Sequence, residues 1–157
     1  MRGAPDRRGL LSATGGATTV ELALTLPLVL LLLVGIVDLG LALNAYVTVN
    51  NASREGAQYA IVHPTATPSE ITAVVVARSA PLDAGKLSVN ALYYDGSTFQ
   101  PWPAGGVPAS TPTPQRIPVR VEVSYPWSAA TVVVGTFFAG GIGAATFTSS
   151  STMRMRR

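Results

Sequence analysis

The chain has 157 residues, 12% of them charged and 48% hydrophobic, with a mean hydropathy of +0.36. That length suits one domain, and the charge fraction is about half the roughly 25% of soluble globular chains, so a disordered solvating chain does not fit. The absence of cysteine and the single histidine exclude disulfide frameworks, thiolate zinc and iron–sulfur sites, cysteine nucleophiles and multi-histidine metal centres.

The formal net charge of +3 resides at the two ends. Arg2, Arg7 and Arg8 face only Asp6 in residues 1–16, and Arg154, Arg156 and Arg157 close the chain. Everything between carries five basic and seven acidic residues. No predicted helix or sheet face gathers lysine and arginine with aromatics, so no nucleic-acid partner is expected despite a pI near 9.7.

Residues 22–37 read LALTLPLVLLLLVGIV, an uncharged run bounded by Glu21 and Asp38. Leu39, Leu41, Ala42 and Leu43 extend it to a length that can cross a hydrocarbon core about 30 Å thick. Pro27 interrupts the run, as membrane helices tolerate. The alternative is a buried core helix, but a domain this small could hardly surround a segment apolar on every face. The basic residues before the run place the N-terminus in the cytoplasm and the remainder outside. The region after it, LALNAYVTV, has no convincing A-x-A site of the kind that ends a secretory signal peptide.

Before the run stands GGATTVELALTL at residues 15–26: a glycine pair, then a glutamate at the edge of the apolar segment. This arrangement resembles a prepilin-type leader (type III signal), in which a basic segment ends in glycine, the peptidase cuts after it, and glutamate is the fifth mature residue. Only Gly16 gives that spacing, making Ala17 the first residue and Glu21 the fifth; Gly9 and Gly15 are rival cut sites. With RRGLLSATGGATTVELALTLPLVLLLLVGIVDLG at 7–40, ASREGAQYA at 52–60 and, more weakly, SSSTMRMRR at 149–157, the chain is similar to the TadE-like pseudopilin family of the Tad (Flp pilus) assembly system. Leu22 stands where major Flp pilins have an aromatic, which points away from the major pilin. The resemblance implies that Gly16, Ala17 and Glu21 carry processing. It further implies that the Glu21 carboxylate pairs with the Ala17 amine of a neighbouring subunit. Asp38 is expected at the outer headgroup boundary, hydrated, with a role in subunit contacts as one option.

The helix is expected to continue past Asp38 to Tyr59 or Ala60, weakened by Asn50, Asn51 and Gly56. His63-Pro64-Thr65-Ala66-Thr67-Pro68 breaks it. Ser69 is expected to cap a short helix carrying Ile71, Val74, Val75 and Arg78, with Glu70 in its first turn and an end before Pro81, although its three consecutive valines also permit a strand. Residues 87–94 read as a strand, Asp95-Gly96 as a turn, and 99–116, with five prolines, as a loop. Val119, Val121, Val123 and Tyr125 alternate with Arg120, Glu122 and Ser124 in the clearest strand, with Pro118 suiting a first-strand or edge position. Residues 124–153 carry no charge, and 131–147 suggest a packed helix or a second membrane span, followed by a strand over 144–153.

Lone His63 has no second ligand nearby, no G-x-S-x-G or S-x-x-K motif occurs, and Gly105-Gly106 is followed by no lysine. Trp102 and Trp127 read as loop packing. No catalytic residue, cofactor or metal site is expected, and the protein is read as a non-enzyme. The fold expected is α+β and pilin-like: a leader over 1–16, a transmembrane helix over 17–43, its outer half over 44–62, and a head over 63–157 with a short helix and a small antiparallel sheet. The function implied is a minor pilin or pseudopilin, held by membrane lipid, cut by a prepilin peptidase and working with other Flp-type pilins and the assembly platform. The alternative is a permanently membrane-anchored periplasmic or cell-surface binding module. The expected location is a bacterial inner membrane, crossed once, head outside.

Overall fold

The computed structural model describes residues 8–107, 116–129 and 144–156. One helix, α1 (Arg8–Val62), occupies 55 residues, about 82 Å at 1.5 Å per residue. It runs on through Pro27, and Thr25 Oγ1 donates to the Glu21 carbonyl at 2.8 Å. Its end at Val62 lies slightly beyond the expected Tyr59 or Ala60.

The second half of α1 lies on one face of an antiparallel four-stranded sheet in the order β2-β1-β3-β4, built from β1 (Ser88–Tyr94), β2 (Phe99–Pro101), β3 (Arg116–Ser128) and β4 (Ala144–Arg156). A short helix, α2 (Pro68–Arg78), packs beside α1. The α+β expectation is met.

The strand alternation foreseen around Val121 decides the core. Val119, Val121 and Val123 are fully buried, while Arg120 and Glu122 on the opposite face are half-exposed and lie within 3.7 Å of each other. Burying three valines on one face is what fixes the register, since a one-residue slip would turn all of them outward. Against them pack Ala52, Ala57 and Ala60 of α1, Ile71 and Val75 of α2, and Ile117 and Met155 at one end of the β3–β4 ladder.

Small residues on α1 allow the close approach. A Cβ built on Gly56 would lie 2.6 Å from Val75 Cγ2 and 3.2 Å from Val121 Cγ1. Gly56 therefore serves the meeting of two helices and a strand, where the sequence offered only its poor helix propensity. Asn50 is likewise put to use. Its Oδ1 accepts from Ser149 Oγ at 2.8 Å and its carbonyl from buried Ser53 Oγ at 2.9 Å, tying helix to strand.

Several local expectations are corrected. Thr67, not Ser69, is the N-cap of α2: its side chain accepts from the Glu70 N–H, and Glu70 Oε2 accepts from the Thr67 N–H at 2.7 Å. Pro68 then fills the first helical position, where a missing N–H costs nothing. The stretch 99–116 is not wholly loop, because Phe99–Pro101 pairs with β1 across the turn at Asp95-Gly96. Gly96 takes φ 109°, and the Asp95 carboxylate accepts from the Ser97 and Thr98 N–H groups at 2.8 and 2.9 Å. Pro118 sits in an inner strand, but the β1 ladder stops at Val119, so its position is locally an edge and its missing N–H breaks no bond to β1. The strand expected over 144–153 is present as β4, which takes 144–147 out of a second span; the rest of the expected packed helix or second span, 131–143, lies outside the described residues, as does the loop over 108–115.

Candidate functional site: the exposed apolar helix and its first turns

Gly16–Val62 is long and apolar enough to cross a membrane, and none of its most apolar stretch is buried. Leu24, Leu28, Leu32 and Ile36 are each more than half exposed, as are Leu22, Leu26 and Leu33 on other faces. A soluble core helix is thereby ruled out for this segment, since the head covers almost none of it. Exposure on this scale far exceeds the apolar patches tolerated in water and marks contact with lipid or protein.

The expected processing residues stand at the start of this segment. Gly16, Ala17 and Glu21 are all exposed, and a Cβ on Gly16 would meet nothing within 4 Å. Ala17 and Glu21 are four apart on a helix and so share one face. Among the described residues the Glu21 carboxylate makes no hydrogen bond or ion pair. The Gly16–Ala17 bond lies inside α1. Gly15 and Gly16 weaken the helix there, each being about 1 kcal/mol worse than alanine in a helix.

Asp38 does not sit hydrated at the surface. It is 3% exposed and has an interaction partner. It lies on the helix face that also carries Ala45, Val49 and Ala52, all buried, so the helical period turns it toward its own protein. The 38-45-49-52 spacing puts these residues on one face in the sequence, but only the packing of the head shows that this face is the covered one.

Among the described residues no three His, Asp or Glu side chains gather as metal ligands. His63 stacks on Tyr59 with ring centroids 4.2 Å apart, at the rim of a shallow groove between α1 and α2 where Arg78 lies 3.8 Å from Glu55. Trp102 is buried and donates from Nε1 to the Ala66 carbonyl at 2.8 Å, the loop packing expected of it. Trp127 instead belongs to β3 and lies 6.2 Å from the Phe147 ring. Gly106, at φ 80°, rests against the Pro64–Thr65 backbone and forms no anion loop. Hydrogen bonds from the Thr67 backbone and side chain lower the pKa of Glu70, and those from Thr98 and Ser97 lower that of Asp95. Both carboxylates serve turns and caps.

An exposed helix able to cross a bilayer, carrying a small α+β head, defines a helix-anchored class of protein. Residues 16–58 match the family described as TadE-like protein. The match begins at Gly16 and covers the apolar helix and most of its outer half; it does not reach the sheet or the similarity noted at 149–157. No curated protein and no solved structure matches the chain.

Proposed function

We propose that this chain is a minor pilin or pseudopilin that takes part in assembling a Tad-type (Flp) pilus. The observation that carries the proposal is the coincidence at Gly16 of the start of the TadE-like match and the plus-five spacing to Glu21, behind a segment carrying Arg2, Arg7 and Arg8. In this reading α1 crosses the inner membrane once, N-terminus in the cytoplasm. A prepilin peptidase cuts the Gly16–Ala17 bond, and the mature chain keeps its whole membrane helix. The exposed leucines then exchange lipid for neighbouring pilin helices during assembly. A carboxylate at the membrane edge is costly without a partner, and the amine freed at Ala17 of a neighbouring subunit gives Glu21 one. Asp38, covered by its own chain, serves the subunit's fold. No catalytic role is assigned to any residue.

The test is the mass of the mature protein extracted from membranes of cells with an active prepilin peptidase. A chain starting at Ala17 is expected, and Gly16→Val should leave it starting at Met1. Because a side chain at position 16 meets open space, loss of cleavage in that variant reports on the peptidase and not on misfolding. Glu21→Ala should still be cut but fail in assembly. A parent chain that keeps its first 16 residues overturns the pilin reading and leaves a permanently anchored protein.

A further inference from the structure

Among the described residues, the lower end of the head is uncharged and aromatic. Tyr46 of α1 meets Phe147 of β4 edge to face at 5.9 Å, and Trp127 of β3 lies 6.2 Å from the same ring. Tyr46 is 49% exposed, Trp127 and Phe147 are half-buried, and Ala144 and Ala145 are exposed. From Ser124 to Met153 no residue is charged, and on α1 the one charge between Glu21 and Arg54 is buried Asp38.

The level of this cluster follows from the helix. Starting at Leu22, a hydrocarbon core about 30 Å thick is crossed in about 20 residues, which ends it near Ala42. Tyr46 is one turn beyond, at headgroup depth. The strands descend beside α1: Ser149 meets Ser53 at 3.0 Å, whereas Phe147 meets Tyr46. Trp127 pairs with Ala145, two residues before Phe147 in β4 and so about 7 Å lower at 3.3–3.4 Å per residue. That brings Trp127 and the ladder's end at Ser128–Ala144 level with the edge of the hydrocarbon. Tyrosine and tryptophan favour this depth because each has an apolar body and a polar tip.

We infer that the base of the head, formed by Tyr46, Trp127, Phe147 and Ala144–Ala145, is a lipid-contacting surface seated in the headgroup layer of the membrane that α1 crosses. The head thus rests on the bilayer and does not stand away from it on a bare stalk. Asp38 lies one turn inside the hydrocarbon edge by the same count, and its burial withdraws the one charge on α1 between Glu21 and Arg54 from the lipid below this surface. The inference rests on the membrane-spanning reading of α1 and is independent of processing.

The cysteine-free chain allows a clean test. Single variants Ala145→Cys and Ser128→Cys, both exposed and on either side of the ladder's end, carry a nitroxide in full-length protein reconstituted into phosphatidylcholine vesicles. Leu30→Cys and exposed Ala104→Cys, near the far end of α1, serve as references. Collision with oxygen, which concentrates in lipid, is compared with collision with a water-soluble nickel chelate. The oxygen-to-nickel ratio at 145 and 128 should be severalfold higher than at 104 and approach that at 30. A ratio at both sites equal to that at 104, with position 30 in lipid, overturns the inference and leaves the spanning reading intact. Low collision with both reagents at 145 and 128 also overturns it, because protein then covers the surface. Nickel access at position 30 overturns the spanning reading itself.

Discussion

Gly56→Ala sets two opposing effects against each other, and the structure decides the sign. In an exposed helix the change gains about 1 kcal/mol. Here the new methyl would stand 2.6 Å from Val75 Cγ2 and 3.2 Å from Val121 Cγ1, where ordinary contact begins near 3.4 Å. Both valines are fully buried. Val75 is β-branched on a helix, with essentially one rotamer open to it, so it cannot swing aside. Relief requires α2 or β3 to move by several tenths of an ångström. Overpacking of this kind costs about 1–3 kcal/mol, and the absence of a soft neighbour puts this site in the upper half. The net expectation is a head destabilised by about 1–2 kcal/mol. Urea unfolding of the full chain in detergent micelles, followed by far-ultraviolet circular dichroism, measures it. Gly40→Ala is the control: it lies on the same helix with nothing within 4 Å, and should not weaken the head. The double variant Gly56→Ala/Val75→Ala should be more stable than the two single changes add up to, because the introduced methyl occupies space that Val75 vacates. A Gly56→Ala protein more stable than its parent by about 1 kcal/mol would refute the three-element contact and leave only helix propensity.

Val121→Asp buries an unpaired carboxylate between α1 and the sheet and should cost about 3–5 kcal/mol or more, seen as loss of the cooperative transition of the head. The pKa of Asp95 is lowered by hydrogen bonds from the Thr98 and Ser97 backbone and the Ser97 hydroxyl. The unfolded chain therefore takes up the proton first; the stabilisation is present above the ordinary value of 3.8 and is lost as pH falls through the folded value. Asp95→Asn should flatten the decline in urea midpoint below about pH 4, and an unchanged slope would count against the turn geometry. A reporter active only outside the cytoplasm, fused after Arg157, should be active; if it is silent while a fusion after Gly105 is active, the chain crosses the membrane a second time.

Periodicity and composition carried a large part of this protein. The apolar run from Leu22 is legible because a bilayer imposes length and lack of charge on a sequence without reference to any partner element. The Val119-Val121-Val123 alternation is legible for a related reason: one face of a strand meets protein and the other meets water, and the period of two records it. The Gly16–Glu21 spacing also stands in the sequence, since it concerns residues only five apart. Wherever a residue's role depends on an element distant in sequence, the tertiary structure decided it. Gly56 reads as a helix weakness until Val75 and Val121 are brought against it. Asn50 gains its use from Ser149, and Pro118 is tolerated because the β1–β3 ladder stops at Val119, one residue short of it. Asp38 shows the division most plainly. Its charge in an apolar segment is visible in the sequence, but whether that charge faces lipid, water or protein depends on which side of α1 the head covers, and that is settled by packing between elements the chain's local order does not specify.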